Sequence, residues 1–520
     1  MYGFRISIGK KADWRLSADE YSFVRTWSKD SVEVTQWSLR KFEKDKLWLA
    51  DSKGLLAVEG VLFNRDEIIA QPDKPVGEWR GSFAAVRVDA ETQEVVVYND
   101  PIGSHLLFWC ETKEGVWVSS DLFELARVSG KKEPDETFMQ RLLDYGYGHD
   151  ERTFVQGICR LGAGQCLRIC DGKVQVAQYH RFSNTPFVSP KEDSVARADE
   201  LFRQAVERVV RKNEEYGYRQ IYPLSGGLDS RMVQTVARQL TRQPITNFTY
   251  SQTGHDDHLL PQQISRALGN EWQFIPLDGG DYLVHIDEIT QATQALLNYN
   301  APSESWFCAT QVDLREAGVV ATGVNGDNIF SVITDSKHEL DLLYSLSFAG
   351  NGIGSPLVYQ QFTETYSPFC DVDVLEYVLR IPLRKRWNYR FYDEWILRYY
   401  PAAAQWLHKD EQIGHRRTVL CLFGRHVPLR DLVKRSVSYV LRHTHLANPD
   451  KTEGFAMTPY DEWVRTNDHL RETTENYYAE HKKLLEPYPR ISERAAYIMA
   501  HRPFYDRCAV LTLLSALQQL

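Results

Sequence analysis

The chain has 520 residues, more than a single core ordinarily fills, so two domains are expected. Its 43% apolar and 25% charged residues are ordinary for a globular protein, and a net charge of −9 argues against general nucleic-acid binding. No stretch approaches the ~20 apolar residues that a bilayer span takes, and Met-Tyr-Gly-Phe-Arg-Ile at the start has no basic region followed by an apolar core. A soluble, cytoplasmic protein without membrane insertion is expected. The eight cysteines include no Cys-x-x-Cys pair. Cys159, Cys166 and Cys170 cluster in strand-like sequence without a matching His or Cys group downstream, which reads as buried thiols rather than a metal site.

In chain order, residues 1 to about 185 read mostly as short strands. Phe4 to Ile8 alternates, as does Leu47 to Leu49. Leu55 to Phe63 follows and ends in a turn at Asn64 to Asp66. Phe83 to Val88 and Glu94 to Tyr98 predict a hairpin, and Leu106 to Trp109 with Val116 to Val118 another. One helix is expected over Asp135 to Tyr145. Many strands with little helix predict two stacked sheets with helices outside. The sequence turns polar over 183 to 193, where a linker is placed. Ser194 to Val210 is then an amphipathic helix with Ala198, Leu201, Phe202, Ala205 and Val209 on one face. Beyond it strand and helix patterns alternate: Ile221 to Leu224, a helix over 231–240, Ile245 to Tyr250, a helix over 258–268, and Trp272 to Ile275. That rhythm predicts a parallel α/β sheet whose ligands bind at the carboxyl ends of its strands. The remainder to Leu520 reads as mainly helical.

The chemistry concentrates in Ile221-Tyr-Pro-Leu-Ser-Gly-Gly-Leu-Asp-Ser-Arg231. An apolar strand end, a hydroxyl, two glycines and a helix start make an anion site, because the first helical N–H groups lack intrahelical partners and the dipole favours negative charge there. The Gly-Lys-Ser/Thr ending of a Walker loop occurs nowhere in the chain. Ser225-Gly-Gly-Leu-Asp-Ser230 resembles the pyrophosphate loop of ATP pyrophosphatases, enzymes that cleave ATP between its α and β phosphates.

A wider resemblance is carried by Gly60-Val-Leu-Phe-Asn-Arg-Asp-Glu67, Arg80-Gly-Ser-Phe-Ala84, Asn99-Asp-Pro-Ile-Gly-Ser-His-Leu-Leu107 and Thr153-Phe-Val-Gln-Gly-Ile-Cys-Arg-Leu-Gly-Ala-Gly164. They stand in the order and spacing of the glutaminase domain of asparagine synthetases. The resemblance implies an α+β N-terminal-nucleophile-type sandwich over 1–185. It also implies an α/β ATP pyrophosphatase domain (adenine nucleotide alpha hydrolase-like), with a parallel sheet and a helical C-terminal part, over 190–520. The family's glutaminase uses a cysteine directly after the initiator Met, where this chain has Tyr2. A phenol is a poor substitute for a thiolate, and a bulky second residue should leave Met1 in place, so the first domain is expected to be inactive.

The resemblance also implies the site. Leu224, Ser225, Gly226, Gly227, Leu228, Asp229 and Ser230, with Tyr250, Thr322 and Gly323, would hold ATP as co-substrate. Asp229 and Asp327 would hold Mg²⁺, and Asp327 and Lys409 would act in catalysis, the lysine as a cation facing the pyrophosphate leaving group. Val324 and Asn328 replace two acids of the family's Ser-Gly-Glu-Gly-Ser/Ala-Asp-Glu pattern. Asp256 and Asp257 read as helix N-caps first and metal-site helpers second. Ser367 to Leu375 resembles a structural segment of the family. From Arg384 to Arg442 there are 13 Lys and Arg against 5 Asp and Glu, which fits either a cleft for ATP and an anionic co-substrate or a solvated helical face.

The implied activity is an amide-bond ligase that adenylates a carboxylate and passes it to ammonia or an amine. Its partners would be a small-molecule or peptide carboxylate and an amine donor, and it could form a homo-oligomer or work with a partner enzyme. Arg231, where typical asparagine synthetases have a small residue, favours a specialised member. β-Lactam synthetases, lasso-peptide cyclases and uronic-acid amidating enzymes are such relatives. The alternatives are an asparagine synthase proper using ammonia, a non-catalytic member, or a tRNA-modifying member of the class.

Overall fold

Alternating apolar side chains pair twelve strands into two antiparallel six-stranded sheets stacked face to face. The computed structural model describes residues 1–16, 18–170, 172–187, 193–331, 336–407, 412–415, 419–422, 425–428 and 456–520. The strands are β1 (Gly3–Gly9), β2 (Ser22–Lys29), β3 (Val32–Leu39), β4 (Trp48–Ala50), β5 (Gly54–Leu62), β6 (Gly81–Asp89), β7 (Val95–Asn99), β8 (Phe108–Thr112), β9 (Gly115–Ser119), β10 (Cys159–Arg160), β11 (Gln165–Cys170) and β12 (Lys173–Gln178). One sheet runs β10-β8-β9-β1-β3-β2 and the other β12-β11-β7-β6-β5-β4. Register sets the core: Ile6 lies opposite both Val34 and Val118, and Val86 opposite both Ala57 and Val97. All six side chains meet between the sheets. A one-residue slip would turn this set outward.

β5 reads as an uninterrupted apolar run because both of its faces are covered. Leu55 and Ala57 face the other sheet, whereas Leu56 and Val58 pack beneath Ile68 and Trp79. Ile68 belongs to α1 (Arg65–Ala70), which extends the turn expected there into a short helix. α2 (Leu122–Ser129) and α3 (Glu136–Tyr145) cover the outside of the first sheet. Asp121 and Asp135 cap them by accepting from Glu124 N and Phe138 N, so the helix expected from Asp135 begins one residue later. The terminal helix Phe504–Gln519 returns to this same face, with Leu513 and Leu514 against Phe108 and Trp117.

The second region is built on β13 (Gln220–Pro223), β14 (Ile245–Ser251) and β15 (Glu271–Pro276), parallel and in that order. Arg219 bridges in parallel to Ala317, just ahead of β16 (Val320–Ala321), which pairs in parallel with β17 (Thr365–Tyr366). α4 (Ser194–Tyr216) and α5 (Leu228–Leu240) bury Phe202, Ala205, Val233 and Val236 in one core with Tyr222. Ile221, Phe248 and Ile275 point the other way, onto Cys308 and Ala309. α6 (Asp256–Leu268), α7 (Ile286–Ala292), α8 (Ser303–Gln311) and α9 (Gly326–Phe330) follow. Among the described residues the C-terminal part is mainly helical as expected, with an antiparallel hairpin of Val419–Leu422 and Arg425–Pro428. Among the described residues no helix is long and apolar enough to cross a membrane.

Two sequence readings are corrected. Cys159 and Cys166 are half-buried rather than buried, as is Cys170, because β10 and β12 are edge strands and leave their neighbourhood partly open. The basic stretch from Arg384 is not one surface: Arg386 is fully buried, paired with Glu339 at 2.7 Å, while Arg398 is exposed and pairs with Asp193.

The sandwich is tied to the second region by buried charge. Lys46 donates to Gly60 O at 2.8 Å, stands 3.2 Å from Glu59, and pairs closely with Glu364, which lies just before β17. Gln36 and Ser38 donate to Glu59 at 2.6 and 2.7 Å. Burial alone would lower the Lys46 pKa, but Glu364 and Glu59 hold it above its usual value. Lys46→Met would leave two carboxylates buried without a counter-ion. Chemical denaturation should show a loss of about 3–5 kcal/mol, and a loss below about 1 kcal/mol would mean that the carboxylates protonate at little cost.

Candidate nucleotide site

β13 hands the chain to α5 through Ser225-Gly226-Gly227 at the carboxyl edge of the parallel sheet, where Leu224 N still donates to Phe248 O at 2.9 Å. The loop closes on itself. Ser230 Oγ accepts from Ser225 N at 3.0 Å and lies 3.0 Å from Ser225 Oγ, and Gly227 N donates to Ser225 Oγ at 3.2 Å. Leu224 and Leu228 bury their side chains, so they offer a ligand only backbone. The glycine at 323 is a packing requirement: a Cβ there would stand 2.4 Å from Ser230 N. The two glycine-bearing turns are therefore in direct backbone contact.

Asp229 joins those turns. Its Oδ2 accepts from Asp327 N at 3.0 Å and its Oδ1 from the Tyr392 hydroxyl at 2.8 Å. Asp229 lies in the first turn of α5 and Asp327 in that of α9, which follows Asn325 in the left-handed region (φ 69°). Both acids thus sit where helix dipoles favour negative charge. Tyr392, on the helix Arg390–Tyr399, was not legible as a site residue. Burial first, then Asp229 and Asp327, push its phenol far above the usual range and keep it a donor. Thr322 is buried and donates through its N–H to Tyr366 O at 2.9 Å. Val324 lines a cavity of about 50 Å³ with Thr322, Ser82, Ile102, Phe348 and Pro356, and its carbonyl accepts from Ser367 Oγ. An apolar residue replaces the family glutamate where the sandwich meets the second region.

Arg231, one residue past the loop, is fully buried. It donates to Gly226 O at 2.7 Å and to the carbonyls of Ala403, Trp406 and Leu407 at 3.2 Å each. The loop is therefore bound to the segment that leads toward Lys409, which itself lies outside the described residues. The expectation for Asp256 and Asp257 is corrected. His255 caps α6, its Nδ1 accepting from Asp257 N at 3.0 Å, because both acids fall inside the first turn. Asp257 instead accepts the Gly226 amide at 3.0 Å. Tyr250, at the end of β14, directs its hydroxyl toward Ser305, and burial raises its pKa above the usual range.

At the sandwich end, Tyr2 packs edge to face on Trp37 with centroids 5.0 Å apart. Burial, then Asp19, raise its pKa further. Cys110 is no alternative nucleophile, since burial pushes its thiol up to about 11. Asp100 in the Asn99 to Leu107 segment accepts from the amides of Phe83, Ile102 and Ser104 at 2.9, 3.1 and 3.0 Å, which makes it the organiser of that turn. Two carboxylates among hydroxyls are hard oxygen donors of the kind Mg²⁺ takes together with phosphate oxygens. Asp229 and Asp327 therefore fit such an ion.

An N-terminal-nucleophile-type sandwich followed by an ATP pyrophosphatase-like domain is the class that this fold and site define. The glutamine amidotransferase domain family matches residues 66–180, and the asparagine synthase family matches 197–344. The chain belongs to the asparagine synthetase family, and with it to ATP-dependent carbon–nitrogen bond-forming enzymes. Among solved structures it is similar to glutamine phosphoribosylpyrophosphate amidotransferase from B. subtilis complexed with ADP and GMP, at 12% identity over 48% of this chain and 78% of that one (TM-score 0.22). It is also similar to NMN synthetase from Francisella tularensis, at 13% identity over 41% of this chain and 99% of that one (TM-score 0.21). A third is described as the allosteric regulatory enzyme of purine biosynthesis, at 10% identity over 52% and 74% (TM-score 0.22). No curated protein matches the chain.

Proposed function

We propose that this chain is an AMP- and pyrophosphate-forming amide ligase acting on a specialised substrate, a cyclising peptide, a natural-product precursor or a uronic acid. In this reading residues 1–185 are a glutaminase-like unit that does not hydrolyse glutamine, and residues 190–520 are the synthetase. The observation that carries it is the meeting of Asp229 with the Asp327 amide at the mouth of the glycine loop. Loop amides and the hydroxyls of Ser225 and Ser230 would hold the phosphates of ATP, with Thr322 and Gly323 toward the nucleotide. Asp229 and Asp327 would hold Mg²⁺, which supplies charge neutralisation at the phosphates when bound. The substrate carboxylate attacks the α-phosphorus and expels pyrophosphate, and an amine then attacks the acyl carbon and expels AMP. Lys409 would face the leaving pyrophosphate.

ATP–pyrophosphate exchange with a panel of carboxylic acids tests the reading. Exchange that depends on one acid supports it, and no exchange together with no ATP binding would favour a non-catalytic member. Glutamine incubated with the purified chain should yield no glutamate above the buffer rate. Measurable release would give the first domain a nucleophile other than Tyr2.

A further inference from the structure

Glu304 lies in the first turn of α8, whose Cys308 and Ala309 share a core with Phe248 of β14. Among the described residues, the one hydrogen-bonding side chain it meets from a distant element is Tyr460, whose hydroxyl donates to Oε1 at 2.5 Å from the helix Tyr460–Thr466. Among the described residues no lysine, arginine or histidine pairs with it or contributes to its electrostatics. The surroundings are phenols and other hydroxyls. Tyr250, Tyr282 and Tyr359 all feel its charge, and Ser305 Oγ lies 2.6 Å from Ser355 Oγ. Tyr282 is 3% exposed, and its hydroxyl has no hydrogen-bond partner among the described residues.

A helix-starting acid in solvent would merely serve the dipole. Glu304 instead is held by a residue from the far end of the chain and is half-buried among aromatic rings. Burial pushes its carboxyl up to about 7, against the Tyr460 bond, which lowers it. A carboxylate desolvated without a counter-ion gains most from a cation that brings its own hydrogen atoms, and aromatic faces attract the same group. Strand carboxyl ends in parallel sheets are also where substrates bind.

We propose that Glu304, with Tyr460 and the unpartnered hydroxyl of Tyr282, binds an ammonium group carried by an organic substrate. The place of that substrate in the reaction rests on the ligase reading, but its binding does not require ATP. The group belongs either to the amine nucleophile or to an amino group on the acid itself.

Saturation-transfer NMR on the full chain, with phenethylamine, phenylalanine and 3-phenylpropionate as probes, tests this. One or both ammonium probes should bind, and Glu304→Gln should weaken that binding at least fivefold while ATP binding stays unchanged. Glu304→Asp, which keeps the charge, should restore part of it. Tighter binding of phenylalanine than of phenethylamine assigns the ammonium to the acid, and the reverse assigns it to the nucleophile. Ammonium binding that is absent, that is indifferent to Glu304→Gln, or that is matched by an equally Glu304-dependent binding of 3-phenylpropionate would overturn the proposal. Absence of ATP–pyrophosphate exchange together with absence of ATP binding would remove the ligase reading and leave the ammonium site standing.

Discussion

Replacing Asp229 by asparagine is expected to lower ATP–pyrophosphate exchange by roughly 10²–10³-fold or more, the scale of losing one preorganised electrostatic contact to a reacting group. Asparagine is the informative change. Its oxygen still accepts the Asp327 amide, and its amide donates to the Tyr392 hydroxyl, so these two bonds survive with the charge removed. Thermal unfolding should stay close to wild type while exchange falls. Asp229→Ala adds a second effect. It leaves the buried Tyr392 phenol and the Asp327 amide without this acceptor, at about 1–3 kcal/mol for each unsatisfied group. Exchange retained in Asp229→Asn would place the metal elsewhere, whereas equal loss of stability in both variants would make the residue structural.

The second large effect is expected at Arg231. Its guanidinium holds four carbonyls, one on the loop and three on residues 403–407. With the Gly226 carbonyl fixed toward Arg231, the Gly227 N–H of the same planar peptide points the opposite way. Arg231→Met should cost on the order of 3 kcal/mol in urea denaturation and raise the KM for ATP. Arg231→Lys should recover part of the stability but less of the KM, because an ammonium lacks the planar fork that reaches several carbonyls at once. An unchanged ATP KM in Arg231→Met, at any stability, would show that the tether does not orient the loop.

The loop, the Thr322-Gly323 turn and Asp327 were legible in sequence because their chemistry is written in contiguous residues: strand end, glycines, acid, helix start. The strands of the sandwich were legible where one face is buried. β2 and β3 were missed because β2 is an edge strand with polar residues facing out, and its alternation is weak. The N-caps of α2 and α3 are local and could have been read. Arg231 was noticed as an oddity, but its role was not, since the three carbonyls that tie the loop to residues 403–407 lie more than 170 residues away along the chain.

Tyr392 and Asp257 show the same limit. A tyrosine in a helix and an acid in a first turn carry no local mark of contact with the phosphate loop; only the crossing of the segments creates it. Glu304 and Tyr460 are joined across 156 residues by one hydrogen bond. The sequence by itself determined the family, the order of the two folds and the glycine loop at the strand–helix junction. Periodicity and short motifs depend on neighbours within one element, and those are fixed by covalent spacing. The tertiary structure decided which charges withdrawn from solvent have counter-ions: buried Lys46 with Glu59 and Glu364, buried Arg386 with Glu339, and half-buried Glu304 with none among the described residues. Desolvation and Coulomb attraction act through space between elements that only packing brings together, so no local reading of the chain could have assigned them.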